Sequence, residues 1–134
     1  MKKIYVLFMI IFTVSTYSAS PYFDIKLSDF ETLVKCEKSF GTIKFNFLFE
    51  GKNKRIVVAA TDGSDRGNLL KDLNWQEAKD DFNFIVTGVE DIGFTKNLYG
   101  LILETKEGAK PILQVLNQYN GEWQKIVDIG CQLN

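Results

Sequence analysis

Two cysteines, Cys36 and Cys131, bracket most of the chain, and a bond between them constrains the fold more than any other single feature. The bridge would close a loop of about 95 residues and tie the start of a domain to its end, which chain entropy values at about 4–5 kcal/mol. Two free thiols or an intermolecular pair are the alternatives, and bonding requires an oxidising compartment. The N-terminus points to one. Met1-Lys2-Lys3 precedes an apolar run from Ile4 to Phe12, followed by Thr13-Val14-Ser15-Thr16-Tyr17-Ser18-Ala19-Ser20. A basic end, an apolar stretch and a small-residue tail form the three-part pattern of a secretory signal. The run falls short of the roughly 20 residues that a membrane span needs. Residues 1–20 are therefore expected to be removed, with small residues at −3 and −1 favouring cleavage after Ser18 or Ser20. An even cysteine count in an exported chain predicts the intramolecular Cys36–Cys131 disulfide.

Residues 21–134 are expected to form one domain, without a membrane span. Loss of Lys2 and Lys3 takes the basic count from 16 to 14 against 17 acidic residues, a balance of −3. No basic block is present, which argues against nucleic acid as a partner. No asparagine of this stretch is followed two positions later by Ser or Thr, so there is no glycosylation acceptor. Together with the Lys-Lys leader, this predicts a bacterial periplasmic protein.

Local signals predict an α+β fold: a largely antiparallel sheet of five or six strands with one or two short helices on one face. Ser28-Asp29-Phe30-Glu31 has the reciprocal capping pattern, with Phe30, Leu33, Val34 and Glu37 near helical spacing, giving an expected helix over 29–38 that Gly41 ends. Thr42–Glu50 alternates, with Ile43, Phe45, Phe47 and Phe49 on one face, the clearest strand in the chain. The turn 51–54 and the β-branched run 55–60 complete a hairpin. A helical turn is expected over 68–73. Asn74-Trp75-Gln76-Glu77 repeats the capping pattern and predicts a helix to about Phe82. Strands are expected over 84–89, 98–105, 111–119 and 122–131, with Asn120-Gly121 as a tight hairpin turn. The closing hairpin through Trp123-Gln124-Lys125-Ile126-Val127 resembles the last strands of nuclear-transport-factor-like cone folds; the likeness covers a generic hairpin without a functional motif and implies nothing about activity.

The chain has no histidine. That removes Ser-His-Asp and Cys-His nucleophiles, His-ligated zinc and the usual base poised near neutral pH. Bonded cysteines remove the thiol. Lys38 and Ser39 are adjacent, but an activated lysine must be desolvated, and this one falls at an expected solvated helix end. The acid pairs Asp80-Asp81 and Glu90-Asp91 are sequence neighbours that point apart, unlike two carboxylates facing each other across a glycosidase cleft. Asp62-Gly63-Ser64-Asp65-Arg66-Gly67 has oxygen ligands but not the spacing of a twelve-residue calcium loop, and Asp and Gly are ordinary turn residues. No phosphate-cradling glycine motif follows a strand. No cofactor or metal is expected.

What remains favours binding over catalysis: an exported inhibitor or immunity-type protein that contacts another protein, a basic one, through its loops. The expected contact residues are Asp62, Asp65, Arg66, Trp75, Glu90, Asp91 and Phe94, with Glu77, Asp80 and Asp81 nearby. Aromatics beside acids suit an interface core, and binding residues concentrate on loops. A carrier of a small apolar ligand is the alternative, and a carboxylate-based hydrolase ranks third.

Overall fold

The computed structural model describes residues 24–78, 84–103 and 108–134. Its strands are β1 (Asp24–Lys26), β2 (Thr32–Phe40), β3 (Ile43–Glu50), β4 (Arg55–Thr61), β5 (Arg66–Glu77), β6 (Val86–Asp91), β7 (Lys96–Ile102), β8 (Ile112–Tyr119) and β9 (Glu122–Leu133). Consecutive strands from β2 to β9 pair antiparallel, and β9 returns to pair with β2, so eight strands close a barrel; β1 lies beside β5 as an added strand. This corrects the expected α+β fold. Among the described residues there is no α-helix, only a single 3-10 turn at Leu27–Asp29.

Both expected helices fail because pairing partners far along the chain decide the outcome. The stretch 32–40 is strand β2, with Val34 and Cys36 inside at 6% and 0% exposure. Eight cross-strand pairs to β3 and the Cys36–Cys131 bond outweigh a helical spacing that only Phe30, Leu33, Val34 and Glu37 supply. Ser28, the expected cap, donates its hydroxyl and its N–H to the Asp65 carboxylate instead. The second capping pattern lies within β5, where Trp75 pairs with Gly88 and Glu77 with Val86. A cap motif is a local preference of about a kilocalorie per mole, which a sheet of this size overrides. The part of that expected helix beyond Ala78, with Asp80 and Asp81, lies outside the described residues, as does the expected signal at residues 1–20.

The expected hairpins of β3–β4 and β8–β9 are present, the latter through Asn120 and Gly121 at φ 54° and 80°. Positive φ at both central residues is what a type I′ turn demands, and Asn-Gly supplies it cheaply. The barrel interior is filled by Phe45, Phe47, Phe49, Ile56, Val58, Tyr99, Leu101, Leu113 and Val115. An eight-stranded barrel has just enough room for such side chains. Parts of the outer wall are covered too. Leu27, with Ile25 and Phe30, packs over Leu48, Val57 and Ala59. Phe84 packs with Leu98 and Leu116, its ring lying where a Cβ on Gly100 would sit.

Two of the eight seams are short. β5–β6 and β2–β9 each hold three residue pairs, against six to eight in the others. Both short ladders sit toward the same rim, the lower one, which carries turn 51–54 and the described residues Ala78, Phe84, Leu103 and Lys110. Toward the upper rim, with turns 41–42, 62–65, 92–95 and 120–121, the strands of both seams part. The barrel is thus two four-stranded meanders, β2–β5 and β6–β9, hinged below. A disulfide crosses one seam.

Candidate functional site

The second seam is crossed by charge. Lys71 stands opposite Val58 on the inward face of β5, and Glu90 shares the inward face of β6 with Val86. Their Nζ and Oε2 atoms lie 2.7 Å apart, with side chains 7% and 17% exposed. Glu90 Oε1 accepts from Asn97 Nδ2 at 3.0 Å and from the Tyr99 hydroxyl at 3.4 Å. Asn117 Nδ2 donates to Asn97 Oδ1 at 2.9 Å and to Thr95 Oγ1 at 2.7 Å, and Thr95 donates to the Gln118 carbonyl. Burial first, then the charge of Glu90 and the hydrogen bond to it, hold the Tyr99 phenol well above its ordinary 10.0. On the β5–β8 side, the upper part of the interior is therefore a connected polar network in which Glu90 is fully engaged.

Sequence reasoning placed Glu90 on a loop and missed Lys71, Thr95, Asn97, Tyr99 and Asn117. Extending the period of two past Val89 would have put Glu90 in line with Val86 and Gly88, and Asn97 in line with Tyr99 and Leu101. An acid at an inward strand position needs a cation, and Lys71, set among Leu70 and Leu73, is the one that fits.

The other expected contact residues divide between the two rims. Asp62 and Asp91 are on the upper rim, each forming a side-chain turn: Asp62 Oδ1 accepts from Ser64 N at 3.0 Å, Asp91 Oδ1 from Gly93 N at 2.9 Å. The Ser64 hydroxyl and amide hold the Asp62 carboxyl below its usual range. Asp65 faces the same rim but is committed to Ser28, and its carbonyl accepts from Leu27 N at 2.8 Å. It pins the N-terminal segment to the wall. Arg66 borders a cavity of about 320 Å3 with Ile25, Lys26, Asp29 and Phe30. Phe94 stands out at 77% exposure, and Tyr119, on the adjoining β8–β9 turn, is 59% exposed. The bond from Thr95 to the Gln118 carbonyl and the pair Lys96↔Gln118 bring those two loops side by side.

Trp75 does not belong to this face. It lies at the lower rim, its indole N–H donating to the Glu50 carbonyl at 2.9 Å and its ring 5.7 Å from Lys54 Nζ. A Cβ on its partner Gly88 would sit 2.6 Å from Ile56 Cδ1, so a side chain there would have to push that methyl aside. Trp75 closes the floor of the barrel beside that contact. Glu77 is exposed at the same end.

No family model, curated protein or solved structure matches the chain. Function must therefore be argued from the site itself. Among the described residues, no group of three or more His, Cys, Asp or Glu side chains comes together to hold a metal. No helix among them is long and apolar enough to cross a membrane. The four upper-rim turns with their flanking residues carry Asp62, Asp65, Asp91 and Glu122 against Arg66 and Lys96, an acidic balance around two exposed aromatic rings.

Proposed function

We propose that this is an exported, non-catalytic binding protein of the inhibitor or immunity type, acting in the bacterial periplasm, and that its upper rim grips a basic partner protein. The observation that carries this reading is Phe94, 77% exposed beside Tyr119 on a rim of acidic loops. Two exposed rings on adjoining loops offer apolar area for a partner to cover, and aromatic anchors surrounded by charge are what interface hot spots are made of. Asp62, Asp91 and Glu122 would steer a positively charged partner, speeding encounter in a salt-sensitive way. The filled interior favours contact at the surface over carriage of a ligand inside, and Glu90, tied to Lys71, Asn97 and Tyr99, is poorly placed to act as a catalytic acid.

The test compares the wild-type domain, immobilised, with Phe94→Ala and with Asp62→Lys/Asp91→Lys against periplasmic extract, followed by quantitative mass spectrometry. The expected result is a basic protein retained by wild type and depleted in both variant eluates, with an association rate that falls as salt rises. Recovery of the same proteins in equal amount on all three surfaces would overturn the reading.

A further inference from the structure

The β2–β9 ladder stops at the pair Cys36↔Cys131, and on the outer side of that fork lies a cavity of about 630 Å3. That volume is within the range of about 300–1,000 Å3 that small-molecule sites occupy. Its openness has a local cause. Val34, Cys36 and Cys131 point inward, so Lys35 and Glu37 of β2 and Gly130 of β9 face out into the fork, and a Cβ built on Gly130 would meet nothing within 4 Å. The opposite wall is Lys110-Pro111-Ile112, held in place because Cys131 N–H donates to the Pro111 carbonyl at 3.0 Å.

The described lining carries Lys35 and Lys110 against Glu37, a net positive balance. Glu37 is engaged by two lysines, Lys35 at 3.0 Å and Lys44 at 3.5 Å, so its negative charge is more than matched before Lys110 is counted. The hydrogen bond and charge of Lys35, with help from Lys44, lower the Glu37 pKa, keeping this arrangement ionised at neutral pH. Pro111 and Ile112 add an apolar surface. We propose that this fork cavity is a binding site for a small organic anion, its charged group against Lys35 and Lys110 and its apolar portion along Pro111 and Ile112. The site is separate from the upper rim and does not depend on the function argued for that rim.

The test titrates the 15N-labelled protein with hexanoate and with its neutral analogue hexanamide. Saturable shifts are expected at the amides of Gly108, Gly130 and Gln132, with hexanamide binding about fivefold more weakly, the size of one exposed charge contact. Lys110→Met should remove most of that preference, and Gly130→Leu, which pushes a side chain into the cavity beside Ile112, should weaken the binding of acid and amide alike. Absence of saturable shifts, or equal binding of acid and amide, would overturn the proposal. The acid–amide comparison uses the wild-type protein alone, so it decides the matter even if Gly130→Leu fails to fold.

Discussion

The Lys71–Glu90 pair offers the sharpest quantitative test of how the barrel is held. Both side chains are largely enclosed, and their contact is 2.7 Å. Removing one partner of such a pair leaves a charge in a poorly solvated interior, at a cost of about 3–5 kcal/mol. Lys71→Met belongs at the lower end, about 3 kcal/mol, because Glu90 Oε1 still accepts from Asn97 and Tyr99. Glu90→Gln keeps those two acceptor contacts but strands the ammonium of Lys71, the more enclosed of the two, and should cost at least as much. The double variant Lys71→Met/Glu90→Gln has no charge left to strand. It should lose about 3 kcal/mol rather than the 6 that simple addition gives, a coupling at the upper end of what contacting residues show. Urea unfolding followed by fluorescence of Trp75 and Trp123 measures all four proteins. Single variants costing under about 1 kcal/mol, with effects that add to within about 0.5 kcal/mol, would refute the argument. The pair would then be solvated, and the β5–β6 seam would be held by its three backbone pairs alone.

Replacing both cysteines by alanine should lower stability by about 4–5 kcal/mol, the chain-entropy value for a separation of 95 residues, read from the urea midpoint with and without reductant. Phe47→Ala and Leu48→Ala point to opposite sides of one strand, yet each is 1% exposed, so each should cost about 3–5 kcal/mol in the same assay; a negligible effect at Leu48 would mean that the N-terminal segment does not cover the wall. Tyr99, held above its ordinary value of 10.0, sets an alkaline limit. Below that value the phenol is neutral in both states and its contribution is complete; above it the unfolded chain releases a proton that the folded one keeps, so stability falls by about 1.4 kcal/mol per pH unit until the folded value is reached. Urea midpoints between about pH 9 and 11.5 should show that slope in wild type and lose it in Tyr99→Phe, and equal slopes would refute it.

What the sequence made legible was whatever a few adjacent residues decide. The alternation of Phe45, Phe47 and Phe49, the Asn120-Gly121 turn and the cysteine pair all translate directly into structure. The helices did not, because Ser28 and Asn74 carry cap chemistry that is equally at home in a turn or on a strand. Which use prevails depends on Asp65 and Gly88, distant in the chain. The same limit applies to the site. Asp62 and Phe94 lie on the rim loops as their composition implies and Asp91 ends β6 beside one, whereas Glu90 belongs to β6, whose alternation runs on past Val89. Its role is visible only once β5 and β6 are neighbours, which no local pattern encodes.

The two ends of the barrel divide the work in a way the chain's polarity explains. Below, the interior is aromatic and aliphatic and the seams are closed by backbone pairs, so the ladders gain from the dense packing around Phe49, Ile56 and Leu101. Above, the interior turns polar on the side of Glu90, Asn97 and Asn117 while Phe40 and Phe45 fill the side below turn 41–42, and there the seams part. Parting strands would ordinarily leave the rim loops loose. Here the two longer loops carry braces of their own: Asp62 to Ser64 in one, and Asp91 to Gly93, Ile92 N–H to the Thr95 carbonyl and Thr95 to Gln118 in the other. Loops ordered in this way have already lost most of the conformational freedom that binding would otherwise remove, so a partner meeting Phe94 would keep more of its contact energy as affinity. Loosening one brace without touching Phe94 or the steering acids, as Thr95→Val does by removing the bond to the Gln118 carbonyl, should therefore weaken binding mainly through the ordering cost, leaving the footprint on the partner unchanged.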